Sequence, residues 1–132
     1  MKTYSIGEVG KLLNLTSYTL RYYEKEGLLP NIQRSESGIR RFTEADLGFL
    51  RVINCLKATG MPIKDIKQFI DWCDQGDATL KDRYDMFLER KETVQRQINE
   101  LEKVMDVIDY KCDYYRSALE TSTKEHLKIK SE

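Results

Sequence analysis

Between Thr16 and Pro30 the chain reads Thr-Ser-Tyr-Thr-Leu-Arg-Tyr-Tyr-Glu-Lys-Glu-Gly-Leu-Leu-Pro. Wound as a helix, this stretch places Ser17, Tyr18, Arg21 and Tyr22 on one face. A hydroxyl, a guanidinium and two phenols together supply hydrogen-bond donors of several lengths and flat apolar surface. Phosphate oxygens and base edges in a DNA groove require that combination. The competing reading is an ordinary solvated helix face. Which reading holds depends on the elements around the stretch.

Thr16 can cap this helix, Leu20 and Tyr23 can hold it against a core at i, i+3 spacing, and Gly27 supplies a left-handed residue to end it. Before it, Ser5-x-x-Glu8 is a capping box, followed by Ile6, Val9, Leu12 and Leu13 at helical spacing. Asn14 and Leu15 leave room only for a tight turn. Two brief helices so joined, the second polar and aromatic outside, predict a helix-turn-helix. From Asn31 to Phe42, Arg34, Arg40 and Arg41 flank a turn at Gly38, which predicts a hairpin wing carrying guanidinium groups to the sugar-phosphate backbone; a charged surface loop is the alternative. Thr43-x-x-Asp46 opens a third helix to about Thr59, with Leu47, Leu50, Ile53 and Leu56 for the core and Gly60 as its stop. Pro62 starts a fourth, with Ile63, Ile66, Ile70 and a buried Cys73 on one face. Residues 1–74 are thus expected to form a winged helix-turn-helix domain, and 75–79 a linker.

Residues 80–120 carry the clearest periodicity. Leu80, Tyr84, Phe87, Lys91, Val94, Ile98, Leu101, Met105, Ile108, Cys112, Tyr115 and Leu119 alternate spacings of four and three, a heptad seam in which Lys91 is the one charged member. A helix of about 40 residues is about 60 Å long, so the seam needs a partner, most simply a second copy. Residues alone leave parallel and antiparallel pairing open. An antiparallel pair centred near residue 100 would set Cys112 near the partner's Phe87 and bring each helix end toward the partner's head. Residues 121–132 read as a polar tail, and His126 within it as a solvated residue. The fold class expected is mainly α.

The 132 residues carry no formal net charge, yet residues 1–60 hold nine Lys+Arg against six Asp+Glu, and residues 61–132 hold thirteen against sixteen. A basic front and an acidic rear fit a nucleic-acid module joined to a non-binding one. No apolar run approaches the roughly 20 residues that cross a bilayer, and no signal-peptide core follows Met1, so a cytoplasmic location and no membrane partner are expected. Cys55, Cys73 and Cys112 are odd in number and lack C-x-x-C spacing, which indicates neither a disulfide framework nor a metal site. No histidine accompanies a cysteine and no phosphate loop or cofactor motif occurs, so neither an enzyme nor a cofactor is expected.

The order of these parts resembles the MerR family of transcriptional regulators from about Ser5 to about Leu119. The matching residues are Ser5-Ile6-Gly7-Glu8-Val9, Thr19-Leu20-Arg21-Tyr22-Tyr23-Glu24-Lys25-Glu26-Gly27-Leu28-Leu29, Gly38-Ile39-Arg40-Arg41-Phe42, and Asp46-Leu47 leading to Leu50. Phe42 stands where the family usually has tyrosine, and Ile39 replaces the usual aromatic. The resemblance implies a homodimer with an antiparallel coiled coil, bound to a palindrome in a promoter whose spacer is too long for efficient RNA polymerase contact. It implies activation by bending and undertwisting that DNA. Its DNA-binding residues would be Tyr4, Thr16, Ser17, Tyr18, Thr19, Arg21, Tyr22, Arg34, Arg40, Arg41 and Phe42, with Arg21 and Tyr22 on the backbone, Ser17 and Tyr18 nearest bases, and the three wing arginines flanking them.

Metal-sensing members carry a cysteine at the start of the long helix, where this chain has Thr79, and drug-binding members carry a whole extra domain. The segment from Ile53 to Ile63 and Gly76-Asp77-Ala78-Thr79 are instead similar to short aldehyde- and thiol-stress-responsive members, in which a cysteine at the place of Cys55 is the proposed sensor. Arg51, one turn earlier, favours a reactive thiol there, whereas the helix C-terminus and apolar neighbours oppose it, and a packed core cysteine is the competing reading. Other readings are a regulator of the same fold with a non-thiol effector, or an excisionase-like architectural protein, which has no need of the heptads.

Overall fold

The computed structural model describes residues 2–121; His126 and all but the first residue of the expected tail lie outside it. The chain orders as α1 (Ile6–Leu13), α2 (Ser17–Lys25), β1 (Gln33–Arg34), β2 (Arg40–Arg41), α3 (Glu44–Ala58), α4 (Ile63–Asp74), a 3-10 turn (Gly76–Thr79) and α5 (Leu80–Thr121).

Local chemistry sets each boundary. Ser5 and Thr43 each form a two-way capping box, with Glu8 and Asp46 returning the bond to the cap nitrogen, and Thr16 caps α2 through the Thr19 amide. Asn14 ends α1 at φ 56°. The Leu15 amide then donates to the Gly10 carbonyl at 3.0 Å, closing the turn between α1 and α2. Leu20 and Tyr23 on α2 pack with Val9 on α1 and with Leu47, Leu50, Ile53 and Leu56 on α3, all buried, and Ile66, Phe69 and Ile70 of α4 complete the core. α2 and α3 thus bury the residues that their spacing predicts, whereas on α1 only Val9 is fully buried and Leu12, expected on the same face, stands exposed.

β1 and β2 pair antiparallel, Gln33 with Arg41 and Arg34 with Arg40. Tyr4 extends the small sheet through reciprocal backbone hydrogen bonds with Phe42, at 2.8 and 2.9 Å.

Three expectations are corrected. Residues 75–79, expected as a linker, are ordered: Gln75 caps α4 and Gly76–Thr79 wind into the 3-10 turn, with Thr79 buried. Its hydroxyl donates toward the Trp72 carbonyl at 2.5 Å, while Arg83 donates to that hydroxyl at 3.1 Å and to the Gly76 carbonyl at 2.7 Å. The first compact unit consequently runs on to Arg90 rather than closing at residue 74, because the start of α5 belongs to it: Phe87 stacks edge-on against Phe69 with centroids 5.3 Å apart. Phe87 is therefore partly engaged by its own head. Cys73 is half-buried rather than buried, packing beside the core with an Arg83 guanidinium nitrogen 4.0 Å from its sulfur.

The second unit begins at Lys91 and contains the rest of α5. No residue of α5 is buried, and Ile98, Leu101, Met105, Ile108, Tyr115 and Leu119 of the seam are all exposed.

Candidate nucleic-acid interface

α2 is fixed from behind and open in front. With Leu20 and Tyr23 locked in the core, Tyr18, 77 % exposed, and Tyr22, 38 % exposed, face outward together with Arg21, and Ser17 is half-buried at the first helical position. Among the described residues no ion pair engages Arg21 or Arg41, so both guanidinium groups are available to phosphates. Thr16 is exposed, but its hydroxyl is occupied: it accepts from the Thr19 amide at 3.0 Å and donates to the Thr19 hydroxyl at 2.9 Å. These two residues set the helix start, and any contact they make comes from the rim.

The wing is braced by a residue outside the expected set of DNA contacts. Glu24, on α2, accepts from Arg40 Nε at 2.6 Å and from Arg34 Nη2 at 3.3 Å. Arg34 also donates to the Gly38 carbonyl at 3.0 Å, closing the wing tip, where Gly38 turns at φ 86°. Two of the three wing arginines are thus held by α2, and Arg41 is the one left to project. The signal was present in the sequence: an acidic side chain inside an otherwise cationic and aromatic stretch invites an ion pair.

Phe42 is corrected as a DNA contact. Strand alternation turns Arg41 outward and Phe42 inward, and Phe42 is 1 % exposed within the core. Tyr4 is half-buried, and its hydroxyl donates to a Glu44 carboxylate oxygen at the start of α3; that bond and partial desolvation hold its pKa above the ordinary value of 10.0. Its role within the chain is to fasten the N-terminal strand over α3. At the wing tip, Ile39 stands exposed.

Cys55 is exposed on α3 between buried Ile53 and Leu56, which removes the reading of a packed core cysteine in the single chain. Among the described residues no group of three or more His, Cys, Asp or Glu is placed to hold a metal ion, and no helix is long and apolar enough to cross a membrane. A cavity of about 330 Å³ lies in the head, lined by Leu28, Leu29, Phe49, Ile70 and Cys73 among others.

A helix-turn-helix with an outward aromatic and basic face, a braced hairpin beside it, and a long helix with an open apolar seam define a winged DNA-binding regulator. Residues 4–71 match the family described as MerR HTH family regulatory protein, and residues 48–110 match the one described as MerR, DNA binding. The chain belongs to the MerR family of transcriptional regulators. It is 43 % identical over 116 residues to an HTH-type transcriptional regulator of Haemophilus influenzae, covering 88 % of this chain and 86 % of that one. It is 33 % identical over 88 residues to the regulator AdhR of Bacillus subtilis, covering 67 % and 63 % of the two chains. The structure of HiNmlR, a MerR family regulator lacking the sensor domain and bound to promoter DNA, superposes with a TM-score of 0.86 at 40 % identity, covering 94 % and 98 % of the two chains. The protein is a regulator rather than an enzyme, as are these relatives.

Proposed function

We propose that the chain binds a promoter palindrome as a homodimer in the cytoplasm and activates transcription by distorting that DNA for RNA polymerase. The observation that carries this reading is the open α2 face beside a braced wing on a chain that matches a promoter-bound MerR regulator along nearly its whole length. Ser17 and Tyr18 lie nearest bases, Arg21 and Tyr22 hold the backbone, and Arg41 holds the flanking strand. Deforming a site of 20–30 base pairs costs about 1–6 kcal/mol, within the range that a few added phosphate contacts offset.

The signal is an electrophile, with small reactive aldehydes as the first class, received at exposed Cys55. Addition forms a bond from sulfur to the carbonyl carbon, moves the carbonyl electron pair onto oxygen, and passes the thiol proton to that oxygen. The product is a reversible hemithioacetal and needs no further reactant. Run-off transcription from the promoter beside its own gene, with wild-type and Cys55→Ser protein, each with and without formaldehyde, tests the reading. Activation only by wild-type protein with aldehyde supports it. Equal activation of both proteins removes Cys55 and favours the second reading, a non-thiol effector seated in the head cavity lined by Leu28, Phe49 and Ile70.

A further inference from the structure

The seam of α5 is self-complementary under reversal. About a midpoint between Asn99 and Glu100, Ile98 meets Leu101, Val94 meets Met105, Lys91 meets Ile108, and the pattern continues outward to Leu80 meeting Leu119. Every pairing sets one heptad row against the other, as antiparallel packing requires. A second copy turned end for end therefore sets every seam residue opposite another seam residue.

Lys91 is the anomaly in that face. Its neighbours one turn away on α5 are Phe87, Leu88, Val94 and Gln95, none of them acidic, and among the described residues it takes part in no intrachain ion pair. Asp109 is the converse. It is likewise outside every intrachain ion pair and sits in an acidic run with Asp106 and Asp113. Asp109 follows Ile108, the residue facing Lys91 under reversal, and lies one turn beyond Met105. It thus borders the row to which Lys91 belongs, about 1.5 Å away along the axis. Parallel pairing instead sets Lys91 against its own copy, with Arg90 adjacent.

We propose that Lys91 of each copy pairs with the partner's Asp109, and that these two symmetric ion pairs select the antiparallel orientation and the register of the dimer. The inference rests on the homodimer reading. A polar residue in one seam position fixes orientation and register at some cost in stability, and symmetry doubles its effect.

The test uses the full chain with Cys55, Cys73 and Cys112 changed to Ser and carrying Val94→Cys and Met105→Cys. After mild oxidation, mass spectrometry of the tryptic peptides reads which cysteines are linked between chains. Links from 94 to 105 are expected to exceed 94–94 and 105–105 links at least tenfold. Lys91→Glu sets two carboxylates together at each site, weakens self-association about tenfold and brings in the other links. Adding Asp109→Lys restores both. An unchanged link ratio in Lys91→Glu, or failure of Asp109→Lys to rescue it, overturns the proposal. Predominant 94–94 links without the Lys91 change overturn it while leaving the dimer intact. A wild-type chain that sediments as a monomer overturns the homodimer reading itself.

Discussion

Glu24 and Arg40 are joined at 2.6 Å, and this contact ties the recognition helix to the wing. Because Arg34 shares the same carboxylate, removing it frees two arginines at once. Glu24→Ala raises the net charge by one, and long-range electrostatics alone would then tighten DNA binding. Loss of the bracket acts in the opposite direction, since a wing that must be ordered on binding costs affinity. The expected result is a three- to tenfold weaker complex, roughly, at about 0.15 M salt. Fluorescence anisotropy with the operator checks it, and tighter binding would show that the arginines act by charge rather than by position.

Arg21 and Arg41 stand outside such brackets, so Arg21→Ala and Arg41→Ala should each weaken binding to all sequences alike and lower the slope of log K against log salt by about 1. Tyr18→Ala should leave that slope unchanged while narrowing the gap between the operator and random DNA. Anisotropy titrations at several salt concentrations separate the two behaviours. Equal slopes for all three variants would count against these assignments.

The capping boxes, the tight turn and most of the buried face of each of α1 to α4 were legible in the sequence because each is specified locally, by residues a few positions apart, although Leu12 on α1 is exposed and Cys73 on α4 only half-buried. What escaped it depends on contacts across the chain. Strand alternation turns Phe42 inward, and its pairing with Tyr4, 38 positions away in the sequence, holds it there. The bracing of Arg34 and Arg40 by Glu24 and the stacking of Phe87 on Phe69 join separate elements in the same way. Residues 75–79 misled for another reason. Gly76 and Asp77 read as a linker by composition, whereas Thr79 is buried and its hydroxyl holds the turn closed.

Gly10 has no room for a side chain: a Cβ there would lie 2.6 Å from the Leu15 carbonyl oxygen, in the turn between α1 and α2. Alanine brings a helix-propensity gain of at most about 1 kcal/mol. Forcing the turn apart costs about 1–3 kcal/mol. The clash is expected to win, so Gly10→Ala should lower Tm by several degrees and reduce DNA binding more than Gly7→Ala, whose added Cβ meets nothing closer than 3.9 Å. Thermal melts followed by circular dichroism decide it.

Tyr4 and Tyr23 both ionise above the ordinary 10.0, Tyr4 chiefly through its bond to Glu44 and Tyr23 chiefly through burial. Between the unfolded and folded values the unfolded chain has lost protons that the folded chain keeps, so stability falls as pH rises past 10.0. Absorbance titration at high pH should show late-ionising tyrosine whose amplitude shrinks in Tyr23→Phe. Urea melts on either side of pH 10 should show a smaller loss in that variant. A titration in which every tyrosine ionises together would remove this source of alkaline instability.

The Thr79 hydroxyl closes the junction between α4 and α5, accepting from Arg83 and donating toward the Trp72 carbonyl. Thr79→Val preserves the shape but removes both roles, leaving a guanidinium donor and a carbonyl in a largely dry site. Unsatisfied buried groups of this kind cost about 1–3 kcal/mol. Thr79→Ser keeps the hydroxyl and loses only a methyl, about 1 kcal/mol. The order of stability expected from urea melts is therefore wild type, then Ser, then Val. Were Val to match wild type, the junction would be held by packing, through contacts such as Phe87 on Phe69, and not by its hydrogen bonds. In the expected case the polar turn is what fastens the seam-bearing helix to the head, and weakening it should loosen any coupling between pairing of the long helices and the placement of α2 on DNA.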